Sequence, residues 1–117
     1  MRRTVLIVDD HETFRVAARG LLEAAGFDVV GEAADGSEAL AEVERLEPDV
    51  VLVDIQLPGL DGFEVAERLA ARAEAPDVVL ISSRDATTYG ERVRRASVVG
   101  FLPKRELTGA SLAGLLD

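Results

Sequence analysis

Five short apolar runs, Thr4 to Val8, Asp28 to Ala33, Val50 to Val53, Val78 to Ile81 and Val98 to Leu102, recur about every 20 to 28 residues. Each has the length of a strand and is rich in Val, Ile and Leu, and each interval leaves room for a helix. Helical spacing fills the intervals. Phe14, Ala17, Ala18, Leu21, Leu22 and Ala25 repeat every three to four residues and stop before Gly26. Asp35 with Glu38, and Asp61 with Glu64, have capping-box spacing and place two further helix starts, the earlier of these helices being stopped by Pro48. Ala86, Tyr89, Val93 and Ala96 predict a fourth helix, and Leu112, Leu115 and Leu116 a fifth.

Strands alternating with helices, and reading as near-continuous apolar runs, require a parallel sheet covered on both faces. The run from Asp28 to Ala33 carries Gly31 and Glu32, which suits an edge. Right-handed crossovers then favour an α/β, doubly wound, flavodoxin-like (βα)5 fold of strand order 2-1-3-4-5, with residues 1–117 as one domain. In such a sheet, ligands sit beyond the carboxyl ends of the strands.

Those ends are polar. The first strand runs into Asp9 and Asp10, the third into Asp54, the fourth into Ser82, and the fifth into Lys104 after Pro103. Two carboxylates about 4 Å apart repel by roughly 4 kcal/mol at an effective dielectric near 20, so three gathered together call for a cation. There is no cysteine and one histidine, which removes thiolate sites and leaves an all-oxygen donor set. That set selects Mg²⁺ or Mn²⁺ and leaves coordination positions for a phosphate oxygen. Lys104 is the single lysine, the other twelve basic residues being arginine, and as a flexible point charge it suits a phosphoryl oxygen. Ser82 offers a hydroxyl donor to a second oxygen. Asp54, following the most central strand, is the best-placed nucleophile for aspartyl-phosphate chemistry.

Charge narrows the partners. Residues 1–77 hold 7 basic and 18 acidic side chains, and residues 78–117 hold 6 and 4. A net charge of −9 argues against nucleic-acid binding by this segment, since phosphate contacts need a basic surface. The basic excess in the last third, with Arg84, Arg92, Arg94, Arg95 and Arg105, is a candidate partner surface. The longest apolar run, Val98 to Leu102, is far too short to span a membrane, and neither a signal peptide nor an anchor is expected; the location expected is cytoplasmic.

Taken in order and at their spacing, the VLIVDD opening, the VLVDIQLPGLDG segment, the VVLISS strand end and the GFLPK segment resemble the receiver domain of two-component response regulators. The resemblance runs from Arg3 to about Leu116. It implies that Asp54 accepts a phosphoryl group from a sensor histidine kinase. It also implies that Asp9, Asp10, Asp54 and the backbone carbonyl of Gln56 hold Mg²⁺, and that Ser82 and Lys104 grip the phosphoryl oxygens. The VDDHETFRVAARGLLE and VVGEAADGSEAL stretches are similar to the subfamily in which a helix-turn-helix DNA-binding domain follows the receiver. By that likeness the output is transcription, the partner domain would be fused downstream of Asp117, and a phosphorylation-dependent homodimer is open. Modification would shift the fourth helix, fifth strand and fifth helix, with Ser82 moving toward the phosphoryl group and opening space for Phe101.

Three features depart from the family pattern. Ser82 stands for the commoner threonine, Phe101 for a common tyrosine, and Arg105 follows Lys104 where proline is frequent. A cis bond after Lys104 is therefore not expected, because a non-proline cis peptide costs ~2.5 to 4 kcal/mol. Gln56 and Arg84 match positions that tune acyl-phosphate lifetime in the family.

Other functions fit less well. A Mg²⁺-dependent phosphohydrolase working through an aspartyl phosphate needs a carboxylate two residues after its nucleophile, where this chain has Gln56. In a flavodoxin-like flavin module, Asp9 and Asp10 would repel the phosphate. A phosphorylation-independent interaction module of the same fold is the principal alternative. On simpler readings, Asp9 and Asp10 cap the first helix, Ser82 bonds nearby backbone, and His11 is an early helix residue rather than a ligand.

Overall fold

The computed structural model of the chain describes residues 2–116. Among these, the apolar runs form β1 (Thr4–Val8), β2 (Asp28–Ala33), β3 (Val50–Asp54), β4 (Asp77–Ser82) and β5 (Gly100–Pro103). All pair in parallel, in the order β2-β1-β3-β4-β5, so the expected topology holds and β2 lies at an edge. Between them run α1 (Glu12–Ala24), α2 (Gly36–Leu46), α3 (Gly62–Ala70), α4 (Ala86–Tyr89) and α5 (Glu91–Arg95), with α6 (Gly109–Leu116) closing the described chain.

Strand side chains alternate between two cores. Leu6, Val8, Val51, Val53, Val78 and Leu80 pack under α2 and α3 with Val43, Phe63, Ala66 and Leu69. Val5, Ile7, Val50, Leu52, Val79 and Ile81 pack on the other face with Ala18 and Leu22 of α1 and Leu112 of α6. β3 is buried along its whole length and β4 from Val78 onward, so both faces must be covered, which is why they read as unbroken apolar runs. Each fully buried Leu or Ile contributes about 1.5 to 3 kcal/mol over its exposed state.

Two local expectations are corrected. The fourth helix is not continuous. Gly90 adopts φ 56° and ψ −125°, a conformation that side-chain-bearing residues rarely reach, so α4 ends at Tyr89 and the chain restarts as α5. The fifth strand starts later than Val98, because the Val98 amide donates to Ala96 O (2.9 Å) and pairing with β4 begins at Gly100. Both capping pairs start helices as expected, with Asp35 and Asp61 as N-caps; Asp61 with Glu64 closes in both directions, and Asp35 accepts from the Glu38 amide (2.8 Å) without the return bond.

Gly62 sets how close α3 comes to the end of β3. A Cβ there would stand 2.5 Å from the Asp54 carbonyl oxygen, and the Gly62 amide donates to Ile55 O at 2.9 Å. Glycine is what lets α3 begin directly against the strand end that carries Asp54.

Candidate functional site

Among the described residues, the buried polar or charged side chains are Asp9, Asp54 and Ser82, and all three stand at carboxyl ends of strands. An apolar core disfavours such groups, so their concentration at the carboxyl ends of the strands marks a candidate site. Asp9 follows β1, Asp54 ends β3, Ser82 ends β4, and Lys104 follows β5.

The alternation of side chains sorts these residues further. Asp9 and Asp54 continue the face covered by α1 and α6, and Ser82 continues the opposite face, where Tyr89 and Phe101 pack. Lys104 reaches Asp9 Oδ2 at 2.5 Å and Asp54 Oδ2 at 3.1 Å, with its ammonium 4.5 Å from the centre of the Phe14 ring. One cation thus bridges two buried carboxylates from separate strands.

Burial pushes the Asp54 carboxyl above its ordinary range, and the nearby Asp9 adds to this. The Gln56 backbone amide (3.1 Å) and Lys104 pull in the other direction without cancelling it. Burial also works against the Lys104 ammonium, yet the hydrogen bonds and charges of Asp9 and Asp54 outweigh it and hold the lysine above its usual value.

Asp9 Oδ1 is committed to the start of α1, accepting from the His11 amide at 2.8 Å. Asp9 therefore braces the helix from outside, and the N-cap residue is His11. The His11 ring sits 3.2 Å from Asp9 Oδ1 and 3.1 Å from Asp10 Oδ1 while remaining largely exposed. Asp9, Asp10, His11 and Asp54 each bring one ligand-capable atom within 4.8 Å of the others. Asp9 Oδ2 is shut off from solvent and meets the Lys104 ammonium, which leaves a second lone pair on that buried oxygen for a cation. This donor set fits a hard divalent ion.

Two supporting groups were not singled out from sequence. Arg15 donates to Asp9 O (2.7 Å) and to Glu32 Oε1 (3.0 Å), and Arg19 donates to Glu32 Oε2 (2.8 Å). Glu32 thus ties α1 to edge strand β2 and fixes the backbone that carries Asp9. Burial raises the Glu32 carboxyl, but Arg19 and Arg15 more than offset this and hold it below its usual value. The signal available in the sequence was a glutamate inside a strand, between Gly31 and Ala33.

The second group is Tyr89. Ser82 Oγ lies 2.8 Å from Tyr89 Oη and accepts from the Arg84 amide at 3.0 Å. Ser82 is therefore engaged with α4, and Phe101 is half-buried with its ring centre 6.3 Å from that of Tyr89. The side chain of Gln56 is exposed.

The arginine-rich last third is not an unpaired basic patch. Arg92 contacts Asp61 (3.4 Å) and stacks 4.2 Å over Phe63; Arg94 and Arg95 pair with Glu91, and Arg105 pairs with Asp85. No peptide bond among the described residues is cis, as expected after Lys104. No helix among them is long and apolar enough to cross a membrane. A cavity of about 580 Å³ opens at the other end of the sheet, among Arg3, Pro48, Asp49, Arg72 and Asp77, and shares no residue with the acidic cluster.

Comparison with known proteins gives consistent matches. The family description "Response regulator receiver domain" matches residues 5–112. The DNA-binding transcriptional activator EvgA of Escherichia coli is 33% identical over 101 residues, which cover 86% of this chain and 50% of EvgA. The chain spans about half the length of the curated relatives it matches. Among solved structures, the signal receiver domain of NarL from Mycobacterium tuberculosis aligns with a TM-score of 0.86 at 32% identity, covering 98% of this chain and 97% of that one. A two-component response regulator of the LuxR family from Aurantimonas aligns with a TM-score of 0.86 at 28% identity, covering 99% and 86%.

Proposed function

Because the chain belongs to the response regulator receiver domain family, we propose that it is a phosphoacceptor signalling switch in which Asp54 takes a phosphoryl group from a sensor histidine kinase. The observation that carries this reading is the bridging of buried Asp9 and Asp54 by Lys104. Such an arrangement costs stability in the absence of a ligand and has the charges that a transferring phosphoryl group requires.

In the transfer, an Asp54 carboxylate oxygen forms a bond to phosphorus as the bond from phosphorus to the kinase imidazole nitrogen breaks, and the electron pair leaves with the imidazole. Lys104 follows the oxygen it already contacts and neutralises charge on the phosphoryl group. Ser82 donates its hydroxyl to another phosphoryl oxygen. Asp9, Asp10, Asp54 and the backbone carbonyl of Gln56 would hold Mg²⁺, or Mn²⁺, which when bound supplies positive charge against the phosphoryl oxygens.

The domain assists its own phosphorylation and dephosphorylation rather than turning over an external substrate. Residues 1–117 are read as one receiver domain. Modification biases the face made by α4, α5, β5 and α6, with Phe101 settling as Ser82 moves, and so controls an output. EvgA is a DNA-binding transcriptional activator, and by that likeness the output is transcription through a DNA-binding domain fused downstream, working in the cytoplasm without direct nucleic-acid contact by this segment. A phosphorylation-dependent homodimer is consistent with this role.

Phosphoramidate, whose bond from phosphorus to nitrogen resembles that of phosphohistidine, tests the reading. With Mg²⁺ it is expected to label the native chain at Asp54 in a form that hydroxylamine releases, as an acyl phosphate. Label that resists hydroxylamine, or that persists in Asp54→Asn, contradicts it.

A further inference from the structure

The contact between Ser82 and Tyr89 assigns a role to a side chain outside the acidic cluster. A serine hydroxyl has one proton and two acceptor lone pairs. One lone pair of Ser82 Oγ is taken by the Arg84 amide at 3.0 Å, and Tyr89 Oη stands 2.8 Å away. With nothing further to bond, either hydroxyl of this pair can donate to the other. An oxygen placed within reach of Ser82 removes that freedom. The arrangement that satisfies all the groups has Tyr89 donating to Ser82 and Ser82 donating outward.

We propose that Tyr89 is a positioning residue for Ser82: its phenol fills the second lone pair of Ser82 Oγ and so directs the serine proton toward the group carried by Asp54. This deepens the phosphoacceptor reading and rests on it. The phenol is well placed for the task. Ser82 is fully buried, so no solvent molecule competes for its lone pair. The Tyr89 ring is held edge-on to Phe63 (5.8 Å between centres) and tilted against Phe101 (6.3 Å), which fixes the direction of the hydroxyl. Gly90 ends α4 immediately after it, so the position of Tyr89 is set by the short α4 turn and these rings rather than by a long helix.

Phe101 supplies no hydroxyl from β5, so the phenolic group near Ser82 comes from α4 in this chain. The contact also links the strand end to the outer surface, since Phe63 lies under Arg92, which pairs with Asp61.

A mutant cycle tests the proposal. The rate of phosphoryl uptake from acetyl phosphate with Mg²⁺ is followed by intact mass for the native chain, Tyr89→Phe, Ser82→Ala and the double variant, with thermal unfolding recorded for each. Tyr89→Phe keeps the ring and removes the hydroxyl. Uptake is expected to slow roughly two- to tenfold, the range one neutral hydrogen bond confers, and the loss is expected to vanish in the Ser82→Ala background. Tyr89→Leu, which also removes the ring, is expected to impair uptake in both backgrounds. Unchanged or faster uptake by Tyr89→Phe, or an equal loss with and without the serine hydroxyl, overturns the proposal and leaves the phosphoacceptor reading standing. No uptake by the native chain overturns that reading and this inference with it.

Discussion

Lys104 Nζ lies 3.1 Å from Asp54 Oδ2, a contact between residues 50 positions apart that exists because β5 and β3 end at the same edge of the sheet. The same ammonium meets Asp9, so one positive charge serves two buried negative ones. The site is held together by attraction but left short of cation, and its predicted behaviour follows from that imbalance.

Removing the lysine leaves the two carboxylates uncompensated. Lys104→Gln is expected to destabilise the chain by about 3 kcal/mol in urea unfolding at neutral pH, as for other broken buried ion pairs. Added Mg²⁺ is expected to restore part of that loss, because it places positive charge beside the same oxygens.

Divalent metal is expected to stabilise the native chain by RT ln(1 + [L]/Kd), about 1.4 kcal/mol at ten times Kd. Thermal unfolding with and without Mg²⁺ reads this directly. The gain is expected to fall sharply in Asp9→Asn and Asp10→Asn and to be of similar size with Mn²⁺.

Asp54 is an acid raised by burial, so folding favours its protonated form. Below the ordinary value of 3.8 both the folded and unfolded chain are protonated and Asp54 has no effect on stability. As pH rises from there through the higher folded value, the unfolded state releases its proton first and stability falls. Asp54→Asn is therefore expected to raise Tm at pH 7 without metal, with a gain that shrinks as pH approaches 3.8. A lower Tm for the variant at pH 7 contradicts this.

Glu32 has the opposite sign. Its carboxyl is held below the ordinary value of 4.5, so its contribution is complete above that pH and disappears as pH falls through the depressed folded value. Glu32→Gln is expected to cost about 1 to 2 kcal/mol at pH 7, in line with charge-assisted hydrogen bonds that are partly exposed. The loss is expected to vanish in strong acid. A pH-independent effect would mean that Glu32 acts by packing alone.

At Gly62, a methyl group would press on the backbone at Asp54 and Ile55, with no flexible side chain to yield. Gly62→Ala is expected to cost about 1 to 3 kcal/mol by overpacking and to slow phosphoryl uptake by displacing the acceptor. Equilibrium unfolding and uptake kinetics on the same variant check both parts.

The sheet order and the acidic edge were legible because a parallel sheet leaves a distinctive trace. Val50 to Val53 is apolar without alternation and then meets Asp54, and the other strands of the edge behave alike. Lys104 stood out as the single lysine at a strand end. The break at Gly90 was hidden because a lone glycine is tolerated within a helical pattern and its φ is not encoded in the spacing. Tyr89 read as one more apolar position of that helix; its hydroxyl contact with Ser82 depends on where the turn after β4 sets α4, which spacing does not encode. Arg92 and Arg105 read as part of a patch because their acidic partners, Asp61 and Asp85, lie 31 and 20 residues away.

As proposed, Asp54 is the phosphoacceptor and its modification depends on divalent metal. This is tested most directly by intact-mass spectrometry of the native chain and Asp54→Asn after incubation with acetyl phosphate, with Mg²⁺ and with chelator. The native chain is expected to gain one phosphoryl group with Mg²⁺ and none with chelator, and the variant is expected to gain none. A native chain that gains nothing, or a variant that gains the same group, contradicts the proposal.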